Sequence, residues 1–396
     1  MQRLAVIVVF AFNGATLGSW APRTPALSEQ IGVGPGPFGL ALLGASVGML
    51  LSATISGRLV ERVGARAVIL GSSLAVCLVL PLVGSAQSVP WLAAALFGLG
   101  AASGALDVSM NIAGVAVERT LGRPTMPLFH AWFSFGALAG SGGAALAAGN
   151  GLSPTRHLLV AALIGALMVA VVVRALPGVA PRTERSVERP AGGVPLVRRP
   201  ALWLLAAIAL CSAIAEGASS DWSALLLVTE QGASEGAAAL AYAGFSLAMA
   251  FARLAGSWTQ ARFGAVRLLT AGAACAGTGV VTAALVGIPA VSYAGFVLAG
   301  AGLAACFPVA LGLAGEAGKR PDNSGGEREV AFVTAIAYTG FLAGPPVIGG
   351  IAHVTSLSIS FVVVGLVAAV IAPAALAAKR FVERERVARD SSHVLR

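Results

Sequence analysis

From Ala67 to Leu106 the chain carries no charged side chain, and comparable uncharged runs recur from end to end. A helix needs about 20 mainly apolar residues to cross a bilayer. Inside lipid every backbone N–H and C=O must find its partner within the protein, which favours helices over open sheets. The stretch 67–106 is long enough for two such helices, and Gly84-Ser85-Ala86-Gln87-Ser88-Val89-Pro90 is the turn that divides it. Composition excludes the alternative of a soluble core. With 57% hydrophobic and 11% charged residues, and a mean hydropathy of +0.86, there are too few charges to cover a water-facing surface. The expected class is an all-α, polytopic membrane protein. Its 50 glycines suit helices that approach closely in lipid.

Breaking the apolar runs at charges, prolines and polar turns gives twelve spans, near 4–28, 36–58, 66–86, 90–117, 126–149, 156–176, 200–229, 236–260, 266–287, 290–315, 330–352 and 355–379. Met1 to Phe12 is kept within the first span, because no small-residue cleavage site precedes a soluble domain. If the N-terminus faces the cytoplasm, only Arg23 and Arg156 of the 26 basic residues fall outside. Moving a single span would scramble this bias, so the positive-inside rule places both termini in the cytoplasm and the protein in the inner membrane. The Pro-, Arg- and Glu-rich interval 177–199 reads as a cytoplasmic linker between two six-helix bundles, 1–176 and 200–380, with a mixed-charge tail at 381–396.

The halves echo one another. Gly57-Arg58-Leu59-Val60-Glu61-Arg62-Val63-Gly64-Ala65-Arg66 forms a charged turn between two apolar runs, and Ser257 to Gly264 repeats its Arg-x-Gly core at Arg262 and Gly264. Gly14-Ala15 with Trp20 pairs with Gly217-Ala218 and Trp222, and Gly136-Ala137-Leu138-Ala139-Gly140 with Gly340-Phe341-Leu342-Ala343-Gly344. Two halves related by repeat, with a cavity between them near the midplane, are the physical recipe for alternating access.

On these residues the chain resembles the major facilitator superfamily over nearly its whole length. Gly57 to Arg66 matches that family's loop motif between the second and third spans. Asp107-Val108-Ser109-Met110-Asn111, Gly122-Arg123-Pro124, Phe129-His130, Glu216-Gly217-Ala218 and Asp221-Trp222-Ser223 are similar to the YbjJ-like branch of bacterial transporters. The resemblance implies a transport fold and mechanism better than a cargo. The fifth-span Gly-Pro signature of drug/proton antiporters is missing: Gly140-Ser141-Gly142-Gly143 stands there, and Gly344-Pro345-Pro346 falls in the eleventh span instead.

Three acids fall well inside spans: Asp107, Glu216 and Asp221. An acid at a helix centre costs about 2.5 to 3.5 kcal/mol on insertion scales, so it faces a cavity or a partner and marks a proton or substrate path. Asn111 lies one turn from Asp107, and His130 enters at a comparable depth, with Ser134 one turn further in. A hydrogen-bonded Asp107, Asn111, His130 cluster is expected, serving either coupling or a structural clamp between helices. Glu216 is expected near the centre of the seventh span, looking into the cavity opposite Asn13. Asp221, beside Trp222, is expected to pair with Arg23 as an outer gate. Gly57, Glu61, Arg62, Gly64 and Arg66, with Arg262 and Gly264, form a candidate cytoplasmic latch. Trp91, Trp203 and Trp258 fall at span ends and suit the interfacial belt.

Other classes are excluded by what is missing. There is no His-Glu-x-x-His, no phosphate-cradling Gly-x-x-x-x-Gly-Lys-Ser/Thr and no nucleophile elbow with a credible base, so neither an enzyme nor an ATP-driven pump is expected. Cys77, Cys211, Cys275 and Cys306 have no pair spacing and read as packing residues, not as metal ligands. The net charge of +9 comes without a basic groove interleaved with aromatics, which argues against nucleic acid. The reading is a monomeric carrier without cofactor, moving a small organic solute, with protons and the lipid bilayer as its other partners. Efflux is the favoured direction, proton-linked uptake of a sugar-like nutrient the alternative, and a non-transporting sensor or membrane enzyme on the same scaffold the reading from another class.

Overall fold

A computed structural model describes residues 1–122, 125–178, 195–319 and 326–394, and among these no strand occurs. Twelve helical spans are long and apolar enough to cross a membrane. In chain order they are α1 Gln2–Ile31, α2 Pro35–Val63, α3 Ala65–Gly84, α4 Val89–Leu121, α5 Met126–Gly149, α6 Pro154–Ala175, α7 Pro200–Gln231, α8 Glu235–Leu254, α9 Ala265–Leu285, α10 Pro289–Gly318, α11 Arg328–Val354 and α12 Leu357–Phe381. The helix of α12 runs on to Val394, so the mixed-charge tail begins as helix.

Local chemistry sets the ends and the breaks. Pro22 and Pro25 interrupt α1, which passes through a 3-10 turn at Ala21–Arg23. The helix of α10 breaks at Ala304 and Ala305, where Pro308 supplies no N–H to the carbonyl four residues back. Two sequence boundaries are corrected. The charged stretch expected as a turn is helical through Val63, because only Gly64, at φ 85° and ψ 151°, breaks the α2 ladder. The eighth span, expected to reach 260, stops at Leu254, and a separate short helix Gly256–Phe263 follows. That helix ends on Gly264 at φ 80° and ψ 157°, nearly the conformation of Gly64. The echo in the sequence is therefore a repeat of backbone shape.

Packing follows the repeat. In the first half α1 packs on α5, α2 on α4, and α3 on α4 and α6; in the second, α7 packs on α11, α8 on α10, and α9 on α10 and α12. Two seams join the halves, α2 with α11 and α5 with α8, and repeat symmetry exchanges one seam for the other. One end of the molecule, the basic face, carries Arg58, Arg62, Arg66, Arg119, Arg174, Arg198, Arg262, Arg267 and Lys379 at or near helix termini. The opposite end, the far face, holds the α1–α2, α5–α6 and α7–α8 connections. Trp91, Trp203 and Trp258 are 47%, 48% and 64% exposed near span ends, as amphipathic rings at a membrane boundary would be.

Candidate functional site

The halves meet at the far face. A Cβ added at Gly39 of α2 would lie 2.7 Å from the Pro345 carbonyl oxygen of α11, so the backbones touch directly there. Ser46 Oγ of α2 donates to the Phe341 carbonyl of α11 at 2.6 Å. Trp222, fully buried in α7, sets its indole edge-on to the Phe38 ring of α2, with centroids 6.0 Å apart. Toward the basic face the same seam parts. A cavity of about 760 Å³ separates Leu50, Ala53 and Thr54 of α2 from Glu316 of α10, Lys319 just past its end, and Tyr338 of α11. This seam is thus closed at the far face and parted toward the basic face.

The other seam is held deeper by Arg253, one residue from the end of α8. Its Nη1 donates to Ser134 Oγ of α5 at 3.1 Å, and its Nη2 lies 3.5 Å from Glu216 Oε1 of α7. Beside it the Phe135 and Phe251 rings cross the seam edge to face at 5.9 Å. Glu216 and Arg253 are 26% and 17% exposed, so the pair is only partly buried. His130, exposed on α5, and Tyr242, buried on α8, both lie within electrostatic reach of Arg253. One guanidinium therefore ties the central acid of the second half to a hydroxyl of the first. Removing the charge of Glu216 leaves that guanidinium without its counter-ion.

The expected Asp107 cluster forms only in part. Asn111 Nδ2 donates to the Asp107 carbonyl oxygen at 2.8 Å and reaches its Oδ1 at 3.3 Å. His130 stands apart from both residues; its ring is set edge-on to Phe10, centroids 5.3 Å apart, because a flat, mostly apolar imidazole packs well there. Tyr338 of α11, which lines the opening, lies within electrostatic reach of Asp107. Asn13 is buried and directs its Nδ2 to the Met110 sulfur of α4 at 3.8 Å, so its amide is turned into its own half and not toward Glu216.

The expected Arg23–Asp221 pair is replaced. Asp221 accepts from Ser220 Oγ at 2.8 Å, a neighbour in its own helix. Arg23 lies 3.8 Å from Glu235 at the start of α8, and its Nη2 donates to the Leu152 carbonyl at 2.7 Å. The break in α1 at Ala21–Arg23 carries the guanidinium past the depth of Asp221 to the helix ends of the far face. The latch residues are disengaged. Glu61 and Arg62 are exposed, Arg66 Nε donates to the Leu176 carbonyl within its own half at 3.0 Å, and Arg262 lies over the Phe263 ring at 5.9 Å. Among the described residues, none of the second half hydrogen-bonds or ion-pairs with Glu61 or Arg62.

Sequence reasoning alone misses Arg253 and Glu235. Arg253 counts there among the charges of the basic face, although its position inside an apolar run, ahead of Gly256, is itself a signal of an intramembrane charge. Glu235 stands at a loop boundary, where an acid in the first helical turn is unremarkable.

The major facilitator superfamily model matches residues 4–317 and 222–394. The chain belongs to the major facilitator superfamily. An uncharacterised MFS-type transporter of Yersinia pestis is 34% identical over 381 residues, covering 96% of both chains. An uncharacterised transporter of Sinorhizobium fredii is 34% identical over 92% of this chain and 94% of its own length. Among solved structures, a bacterial homologue of the human lysosomal transporter Spinster, inward-facing and occupied, superposes with a TM-score of 0.75 at 15% identity over 97% of each chain. The nucleoside transporter NupG gives 0.71 at 13% identity over 95% of this chain and 98% of its own. These likenesses fix the fold: a multi-pass superfamily transporter, not an enzyme.

Proposed function

We propose that this member of the superfamily moves a small, polar organic solute by proton-coupled alternating access, with Glu216 as the coupling acid. The observation that carries the reading is the Arg253 bridge, which joins Glu216 to Ser134 across the α5–α8 seam. Protonation cancels the attraction between Glu216 and Arg253 within the second half, which releases the guanidinium from its counter-ion and frees the side chain that reaches Ser134 across the seam to reorient, easing opening there. Deprotonation restores the charge pair. Tyr338, which lines the opening, and Asp107 with Asn111, within its electrostatic reach, supply donors and acceptors for a hydroxylated solute. The basic face is assigned to the cytoplasm of a bacterial inner membrane on the positive-inside rule, which makes the described state inward-facing and puts both termini in the cytoplasm. The carrier is proposed to act as a monomer, and its YbjJ-like placement rests on the Asp107 to Asn111 and Glu216 to Ser223 motifs.

The ionisable and hydroxyl groups Glu216, Asp107, Ser134 and Tyr338 support a sugar-like or nucleoside-like solute over an apolar drug. Uptake and export use the same Glu216 cycle and differ in the sign of solute movement under a pH gradient. The test is transport into proteoliposomes of wild type and Glu216→Gln against a panel of sugars, nucleosides and amino acids. An acidic exterior is expected to drive accumulation for symport or extrusion for antiport, and the variant to respond to neither. A variant with wild-type pH-driven movement would overturn the assignment.

A further inference from the structure

The least satisfied charge among the described residues lies at the far-face seal, away from the central opening. Arg23 is 2% exposed, and a guanidinium stays charged at any physiological pH. Its Nη2 is used by the Leu152 carbonyl, while Nε and Nη1 have no hydrogen-bond partner among the described residues. The neighbouring carboxylate, Glu235, is 3.8 Å away, beyond hydrogen-bond reach, and 30% exposed. Other buried polar atoms at this end are also unpartnered among the described residues, among them Thr24 Oγ1, in the residue after Arg23, and Nδ1 of His157. His157 stands in the first turn of α6, just past Leu152, and lies within electrostatic reach of Arg23. Each of these groups can donate a hydrogen bond, and α6 turns its positive N-terminal end to the same place.

A buried cation with two empty N–H groups is strongly disfavoured unless something supplies both acceptor capacity and negative charge. A water molecule offers the first without the second. A small anion offers both, and Glu235, beyond hydrogen-bond reach, leaves both N–H groups open to one. We propose that Arg23, with Thr24 and His157, binds a small inorganic anion of the halide class beneath the far-face seal. The anion shares Arg23 with Glu235 and stabilises the state closed at that face. Opening the seal separates Glu235, on the second half, from Arg23, on the first, and exposes the anion to exchange.

The test uses the purified full-length protein and reads stability, so it does not depend on any transported solute. Thermal unfolding is followed as sodium chloride replaces sodium gluconate at constant ionic strength. A ligand that binds the folded state raises its apparent stability in a saturable manner. The wild type is expected to gain several degrees in Tm with chloride and to plateau, roughly as binding at tens of times Kd would give. Arg23→Gln is expected to unfold at the same temperature in both salts. Glu235→Gln, which removes the competing carboxylate, is expected to lower the half-saturating chloride concentration about tenfold, equivalent to about 1.4 kcal/mol. Coincident wild-type curves in the two salts, or a chloride effect that survives in Arg23→Gln, would overturn the site. If Arg23→Gln does not fold, Glu235→Gln decides alone, and an unshifted half-saturation refutes the proposal.

Discussion

Helices α1 and α5 of the first half and α7 and α11 of the second are equivalent pairs, yet they are built differently. In the first pair Gly14, Gly18, Gly136 and Gly140 bring the two backbones into direct contact, so that a Cβ at any of them would collide with a carbonyl of the facing helix. In the second pair the approach is mainly through side chains, with a Cβ on Gly340 nearest to the Leu210 and Ile214 side chains, at 2.9 and 3.0 Å. A Cβ on Gly217 would meet the Phe341 ring at 3.3 Å, and one on Gly344 would meet nothing within 4 Å. The spacing that carries Gly14 to Gly217 carries Asn13 to Glu216 and Gly18 to Asp221. The wider pair is therefore the one that has room for acids. One half acts as a close-packed frame, the other carries ionisable side chains, and the two repeats have diverged along the line that packing permits.

The largest expected effect comes from breaking the frame. Gly18→Leu should destabilise the protein by about 3 kcal/mol or more, since overpacking against a backbone cannot be relieved by a rotamer change. Gly344→Ala, the corresponding test in the loose pair, should change stability by less than about 1 kcal/mol and in the favourable direction, because alanine is the better helix former. Thermal unfolding of both variants in detergent checks this, and equal losses would erase the contrast. A smaller effect is expected where the halves touch at Arg253. A double-mutant cycle of Arg253→Met and Glu216→Gln should return a coupling of about 0.5 to 1 kcal/mol, the range of a partly exposed ion pair. Ser134→Ala should cost about 1 kcal/mol or less, the worth of one hydrogen bond. The smallest effect belongs to Glu61→Gln. If Glu61 engages a helix end or a basic group when the basic face closes, its loss should shift spin-label distances between Arg58 of α2 and Gly318 of α10 toward the open state by about 0.3 to 1 kcal/mol. Identical distributions would remove the latch.

Much of this architecture is legible in the residues themselves. The twelve spans follow from uncharged runs divided by prolines and glycines, and the duplication from Gly64 and Gly264, which share a backbone conformation. Legibility ends where a partner lies far away in sequence. Depth along straight helices matches Arg23 with Asp221, but the break at Ala21–Arg23 moves the guanidinium to Glu235. Asn13 lies on the expected helix, yet the rotation of α1 turns it to Met110. Arg253 is hidden by its sign, since basic residues near helix ends are evidence of topology first and of chemistry second. In each case the sequence specifies residue type and depth, while helix rotation and local breaks choose the partner.

The central claim is that Glu216, paired with the Arg253 that reaches Ser134 across the seam, couples solute movement to protons. Solute exchange and pH-driven movement measured side by side in proteoliposomes of Glu216→Gln test it most directly. The account predicts that exchange between labelled and unlabelled solute on the two sides continues while the response to a pH gradient vanishes. Concentrative movement driven by that gradient at the wild-type rate would contradict it.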